Sequence, residues 1–268
     1  MTGSALLCQL ERLGVTYGRG REPALQDIDL TIRRGRKLAI IGESGSGKST
    51  LARAIAGLLP EHATVSGEIV WKRATGNLTS PPQAGRDIGY VFQDPGAALN
   101  PVLTIGEQVA EGAVRHLGLP WKTAAVRARE LLERVHLTHP SHLLEAYPHQ
   151  LSGGQRQRVA TAAAIAAEPS ILIADEATSA LDTVSQSAIV ALLDSLVSDG
   201  SRTLIFITHD IGLASSLADD IAVLHRGKLV ESGVAKDVLT APTHDYTGSL
   251  LADYIDLSTP PLISRGAA

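Results

Sequence analysis

Nine consecutive residues carry the most definite chemistry in this chain. Gly42-Glu43-Ser44-Gly45-Ser46-Gly47-Lys48-Ser49-Thr50 has the spacing G-x-x-x-x-G-K-[ST]. The glycines let the backbone curl until successive N–H groups point inward, at the oxygens of a phosphate. A helix starting here would add the positive end of its dipole. Lys48 supplies a point charge suited to a β- or γ-phosphate, and the Ser49 hydroxyl is a hard oxygen ligand for Mg²⁺. An ordinary Gly/Ser turn would need neither the lysine nor the flanking pattern, which is an apolar run at Lys37–Ile41 and helical periodicity over Leu51–Leu58.

A second site candidate is Ile171-Leu172-Ile173-Ala174-Asp175-Glu176. An apolar strand here delivers two carboxylates to a sheet edge, where open α/β sheets bind ligands. Neighbours in a strand point to opposite faces, so the two acids should have different tasks. Asp175 suits Mg²⁺ through water, and Glu176 suits orientation or deprotonation of an attacking water. Solvated acids at a strand end would explain the pair alone; the phosphate loop in the same chain favours the functional reading.

The third is Leu151-Ser152-Gly153-Gly154-Gln155. Ser152 and Gln155 have capping-box spacing, which by itself only starts a helix. Two glycines in the first turn cost helix stability and leave N–H groups open, which makes a second anion site. Two half-sites for phosphate in one chain make sense if two chains face each other. These loops use five of the chain's 25 glycines. Others, such as Gly227 and Gly233, are expected at turns.

The elements that must position these residues alternate. The N-terminal third reads as strands, including Gly67–Trp71 and Asp87–Phe92. Helices are expected over Thr104–His116, Lys122–His136, Ser152–Ala167, Val184–Ser198 and Asp210–Ala218. Strands are expected at Ser170–Asp175, Thr203–Thr208, Ile221–His225 and Lys228–Glu231, the last two joined at Arg226-Gly227. Such alternation predicts an α/β fold with a mostly parallel sheet covered on both faces. The stretch from about residue 95 to 150 reads as an inserted helical lobe, and Ser258–Ala268 as a disordered tail.

Composition removes other classes. The 268 residues carry 24 Lys plus Arg against 28 Asp plus Glu, a net charge of −4, and aromatics are only 3%. Neither a basic face nor stacking residues for nucleic acid are present. One cysteine, Cys8, rules out an internal disulfide and a four-cysteine metal site. No apolar run approaches the ~20 residues of a membrane span. The opening MTGSALLCQLER lacks the basic start and long apolar stretch of a leader, so Cys8 is expected as a core residue of a first strand.

Together the motifs resemble those of the ATP-binding subunit of an ATP-binding-cassette transporter, in family order: the phosphate loop, Gln93, Leu151–Gln155, Asp175-Glu176, Ser179-Ala180-Leu181-Asp182, and His209. The resemblance implies a P-loop NTPase core with a small antiparallel β region in its N-terminal part. The core would be residues 1–93 and 156–235, the helical signature lobe 94–155, and a family extension 236–268. It also implies roles: Tyr17 stacked on adenine, Gln93 linking Mg²⁺ and water to the lobe, Asp182 in a loop across a dimer interface, and His209 on the γ-phosphate. ATP on one phosphate loop would be covered by Ser152, Gly153, Gly154 and Gln155 of a second ATP-binding subunit, identical or related. Gln93-Asp94-Pro95 with Leu99-Asn100-Pro101, and Pro242–Thr247 with Leu250-Leu251, resemble segments of peptide and nickel importers. Asp245 and Ala177 stand where those importers carry proline. The implied activity is ATP hydrolysis coupled to import of dipeptides or oligopeptides. Nickel or metal-chelate import, or a soluble cassette ATPase outside transport, are the alternatives. The implied partners are two transmembrane permease subunits and, indirectly, a solute-binding protein, with the chain peripheral on the cytoplasmic face of the plasma membrane.

Overall fold

The computed structural model describes residues 5–18, 21–72, 80–177, 183–198 and 200–257. In chain order the elements are β1 (Leu6–Tyr17), β2 (Leu25–Arg33), β3 (Lys37–Ile41), α1 (Lys48–Ala56), β4 (Ala63–Trp71), β5 (Ile88–Val91), α2 (Pro95–Ala98), α3 (Ile105–Leu117), α4 (Trp121–Arg134) and α5 (Pro140–Leu143). They continue as α6 (Gly153–Ile165), β6 (Ile171–Asp175), α7 (Thr183–Val197), β7 (Thr203–Ile207), α8 (Ile211–Leu217), β8 (Asp220–His225), β9 (Lys228–Val234), α9 (Ala235–Thr240) and α10 (Asp245–Leu257). The chain divides into two compact units, residues 1–81 with 205–268, and residues 82–204, with the division inside β7.

In the first unit, β1 pairs antiparallel with both β2 and β4, forming the expected small N-terminal sheet. β2 alternates strictly: Ile28, Leu30 and Ile32 are buried, while Asp27, Asp29, Thr31 and Arg33 are exposed. That is the signature of a strand with one wet face. Cys8 lies in β1, fully buried, as expected of a core cysteine. Burial pushes its thiol up to about 12, partly offset by the positive charge of Arg34. The thiolate is the reactive form, so native protein at pH 8 should resist a thiol reagent that labels the denatured chain fully; rapid native labelling would show that Cys8 is accessible.

β3 differs in kind. Leu38, Ala39, Ile40 and Ile41 are all buried, as in an interior strand of a covered sheet. It lies between β7 and β8, parallel to β8 with Ile40 opposite Ala222. The β8–β9 hairpin turns at Arg226-Gly227, where φ is 47° and 76°; both central residues of a type I′ turn need such values. Gly233 is not at a turn. It sits inside β9 opposite Ile221, where a Cβ would stand in ordinary contact, 3.4 Å from Val238 Cγ2 on α9. Helix α1 begins at Lys48, earlier than the apolar periodicity suggests, because the phosphate loop runs directly into it. It stops at Ala56, where Gly57 takes φ 68° and the Leu58 N–H returns to the Arg53 carbonyl.

In the second unit, β5 and β6 are parallel, with Tyr90 opposite Ile173. All five residues of β6 are buried. Helices α2 to α5 form the expected helical region between β5 and α6. Thr104 and Glu107 make a reciprocal capping box at the start of α3, and Gly118 ends it in the left-handed conformation. Ala110 and Ala113 of α3 and Ala124 and Ala128 of α4 are buried, small enough for the two helices to approach closely. Among the described residues, no helix is long and apolar enough to cross a membrane. The expected tail, Ser258–Ala268, and the stretch Ser179–Asp182 lie outside the described residues.

Candidate functional site

In the first unit the phosphate loop leaves the end of β3 and closes onto α1. Gly42, Gly45 and Gly47 take φ of 145°, 79° and 103°, a region nearly reserved for glycine. Gly42 has a second constraint: a Cβ there would lie 2.1 Å from the Leu224 carbonyl oxygen of β8. Gly42→Ala must therefore combine backbone strain with a clash against a strand. It should cost about 2–5 kcal/mol, read as a fall in Tm of about 5–15 °C. An unchanged melting curve would mean the loop can shift away from β8.

The loop is held in shape before any ligand arrives. The Lys48 Nζ donates to the carbonyls of Gly42 and Glu43, both at 2.8 Å, so the ammonium bridges the mouth of the loop. Ser46 N–H returns to the Glu43 carbonyl, and the Ser46 carbonyl accepts from Gly227 N–H of the β8–β9 turn. The Ser46 hydroxyl is buried without a hydrogen-bond partner, an orphan that a phosphate oxygen would satisfy. Glu43, Ser44 and Gly45 are exposed, while Ser49 and Thr50 are half-buried in the first turn of α1. Tyr17, the last residue of β1, donates its hydroxyl to Thr50 Oγ1 at 3.3 Å, which brings its ring to the start of α1.

His209 lies in the same unit, in the turn after β7. Thr208 N–H donates to the Ile40 carbonyl, so this turn starts alongside β3, which feeds the phosphate loop. Thr208 Oγ1 then accepts from Asp210 N–H, and Asp210 caps α8 through Leu213 N–H. His209 is exposed between these two anchored neighbours.

The second unit carries the paired acids. Asp175 closes β6, fully buried, and accepts the Tyr90 hydroxyl at 2.9 Å. Glu176 is outside the strand, at φ 46°, and accepts from Gln93 Nε2 at 2.7 Å. The two acids thus have different surroundings. One acid is buried on a tyrosine hydroxyl; the next leaves the strand in the left-handed conformation and meets the Gln93 amide. Tyr90 had no signal in the sequence beyond being a β-favouring aromatic, and its partner is 85 residues away.

Ser152 caps α6. Its hydroxyl accepts from Gln155 N–H at 3.2 Å, and Gln155 Oε1 accepts from Ser152 N–H at 2.9 Å, completing the expected capping box. Gly153 is exposed, and a Cβ on it would meet nothing within 4 Å. Its smallness therefore answers no crowding among the described residues. Asp182 lies outside the described residues. Among the described residues no group of three or more His, Cys, Asp or Glu could hold a metal alone.

Comparison with known proteins gives the family of the chain. Residues 25–179 match the family described as ABC transporter. The glutathione import ATP-binding protein GsiA of Salmonella paratyphi A is 41% identical over 240 residues, which is 85% of this chain and 38% of GsiA. The chain therefore spans well under half the length of that relative. The dipeptide transport ATP-binding protein DppD of Bacillus subtilis is 40% identical over 258 residues, covering 94% of this chain and 75% of DppD. Among solved structures, the dimeric post-hydrolysis state of the ATP-binding cassette MJ0796 with ADP and Pi is 32% identical. It matches with a TM-score of 0.74 over 85% of this chain and 99% of that one. From its phosphate loop, paired acids, capped glycine helix and these likenesses, this chain belongs to the ABC transporter family.

Proposed function

We propose that the chain is the ATP-hydrolysing subunit of an importer for dipeptides or oligopeptides. The observation that carries the catalytic half of this reading is the Gln93–Glu176 hydrogen bond, which gives the carboxylate a fixed amide partner beside the end of β6, a placement suited to orienting water. The likeness to import proteins such as DppD supports the cargo class.

The residues have these tasks. The loop from Gly42 to Thr50, Glu43 and Ser44 included, holds the phosphates of ATP with the Lys48 ammonium, and Tyr17 packs on the base. The hydroxyl of Ser49, the buried carboxylate of Asp175 and the amide of Gln93 are hard oxygen donors that fit Mg²⁺, which when bound neutralises phosphate charge. Glu176 orients and accepts a proton from water, and His209 contacts the γ-phosphate. Ser152, Gly153, Gly154 and Gln155 cover the ATP of a second ATP-binding subunit, with Asp182 in the loop that meets it. Closing two chains over ATP and reopening after hydrolysis is a two-state switch that ATP biases. Residues 94–155 act as the lobe that moves with Gln93 and presses on two permease subunits, 1–93 and 156–235 as the ATPase core, and 236–268 as the family extension. The chain is then peripheral, on the cytoplasmic face of the plasma membrane, and reaches a solute-binding protein only through the permeases.

The test is twofold. Purified chain should release phosphate from ATP only with Mg²⁺. A strain lacking the gene should lose growth on dipeptides or tripeptides as the source of a required amino acid, with nickel uptake unchanged. Intact peptide uptake with lost nickel uptake would move the reading to a metal importer, and loss of neither to a cassette ATPase outside transport.

A further inference from the structure

The stretch after α9 reaches back to the phosphate loop. Tyr246, in the first turn of α10, accepts the Glu43 backbone N–H on its hydroxyl at 3.1 Å. Its ring packs against that of His225, with centroids 3.9 Å apart and planes at 35°. His225 ends β8, one residue after the carbonyl that crowds Gly42 and two before the N–H that holds Ser46. The same loop is thus held from the β8–β9 turn at Ser46 and from α10 at Glu43.

The segment that delivers Tyr246 is itself tethered. The Glu231 carboxylate, on β9, accepts from Thr243 N–H at 2.8 Å, Thr243 Oγ1 at 2.9 Å and His244 N–H at 3.2 Å. His244 Nδ1 then accepts from Tyr246 N–H at 3.1 Å. Burial pushes the Tyr246 phenol above its ordinary value against the opposing effect of the Glu43 N–H, so the hydroxyl is neutral at physiological pH and available as an acceptor.

We propose that Tyr246 is a positioning residue for nucleotide binding: through the Glu43 N–H it holds the opening turn of the phosphate loop, so that the segment 243–246 sets nucleotide affinity. Tyr246 removes freedom from the loop before binding, and a preorganised site gives up less on binding. The coupling is reciprocal: whatever displaces the start of α10 weakens nucleotide binding, and nucleotide holds α10 in place. The proposal rests on the phosphate-loop reading above.

The experiment measures ADP and ATP affinity by calorimetry, and ATP turnover, on the full chain. Tyr246→Phe keeps the ring on His225 and removes only the acceptor. It should weaken both nucleotides by about threefold to tenfold, the worth of one hydrogen bond, raising KM while kcat at saturating ATP stays within about twofold. Glu43→Pro removes the donor instead, so in that background Tyr246→Phe should add no further loss. Wild-type affinity in Tyr246→Phe, or an equal loss with Glu43→Pro present, overturns the proposal. Should Glu43→Pro fail to fold, amide exchange at Glu43 decides: it should quicken in Tyr246→Phe, and an unchanged rate overturns the proposal. Lys48→Ala separates the two readings. Near-complete loss of nucleotide binding there supports the phosphate loop whatever Tyr246→Phe does, and unimpaired binding there overturns the loop reading and this proposal with it.

Discussion

Glu176→Gln is expected to lower ATP turnover by about 10²- to 10⁴-fold, the range for removing a general base, while ATP still binds. The substitution keeps the side chain's size. Its amide oxygen can still accept from Gln93 Nε2, so the 2.7 Å contact that positions the group survives. What disappears is the ability to take a proton from water. Glu176 follows the last residue of β6 and is not a residue of the loop that holds the phosphates, so affinity should change little. A chain that binds ATP but cannot cleave it should accumulate as an ATP-bound dimer. Gel filtration with and without Mg·ATP reads that state, and a phosphate-release assay reads turnover. Turnover at the wild-type rate would remove Glu176 from the chemistry and leave Asp175, buried against Tyr90, as the acid to examine next.

Ser152→Arg should abolish hydrolysis by a different route. A side chain as long as arginine at this exposed position would fill the space beside Gly153, which is open among the described residues. It would also remove the Ser152–Gln155 cap, at about 1 kcal/mol, a loss that a Tm comparison detects and that is too small to unfold the chain. The phosphate loop is untouched, so ATP affinity of the single chain should stay within about twofold. Introduced into Glu176→Gln protein, Ser152→Arg should return the ATP-bound dimer to monomer. A dimer that persists would mean that the α6 N-terminus takes no part in joining two copies.

Much of the site was legible because its signals are local. Glycine at three spaced positions before a lysine demands a curled backbone whatever surrounds it, and the structure has φ of 145°, 79° and 103° there. The capping box at Ser152 and Gln155 is a contact between residues three apart. The buried strands β3, β6 and β7 announce themselves as short unbroken apolar runs. Helix ends were less legible. Lys48–Thr50 belong to α1 by backbone geometry, yet none is apolar, so periodicity places the start too late. Gly233 reads as a turn residue and is a strand residue, because its pairing opposite Ile221 is set by strand register and not by residue type.

The sequence by itself determined the phosphate loop, the capped glycine helix and the adjacent carboxylates, since each depends on residue types at short fixed spacing. Tertiary structure alone decided which groups restrain them. The Tyr90 hydroxyl reaches Asp175 across 85 residues of chain, the Leu224 carbonyl excludes a side chain at Gly42, and Tyr246 reaches Glu43 across 203 residues. Those contacts follow from strand register and from the tether at Glu231. Register is a property of elements already packed, and no local pattern of residues encodes it.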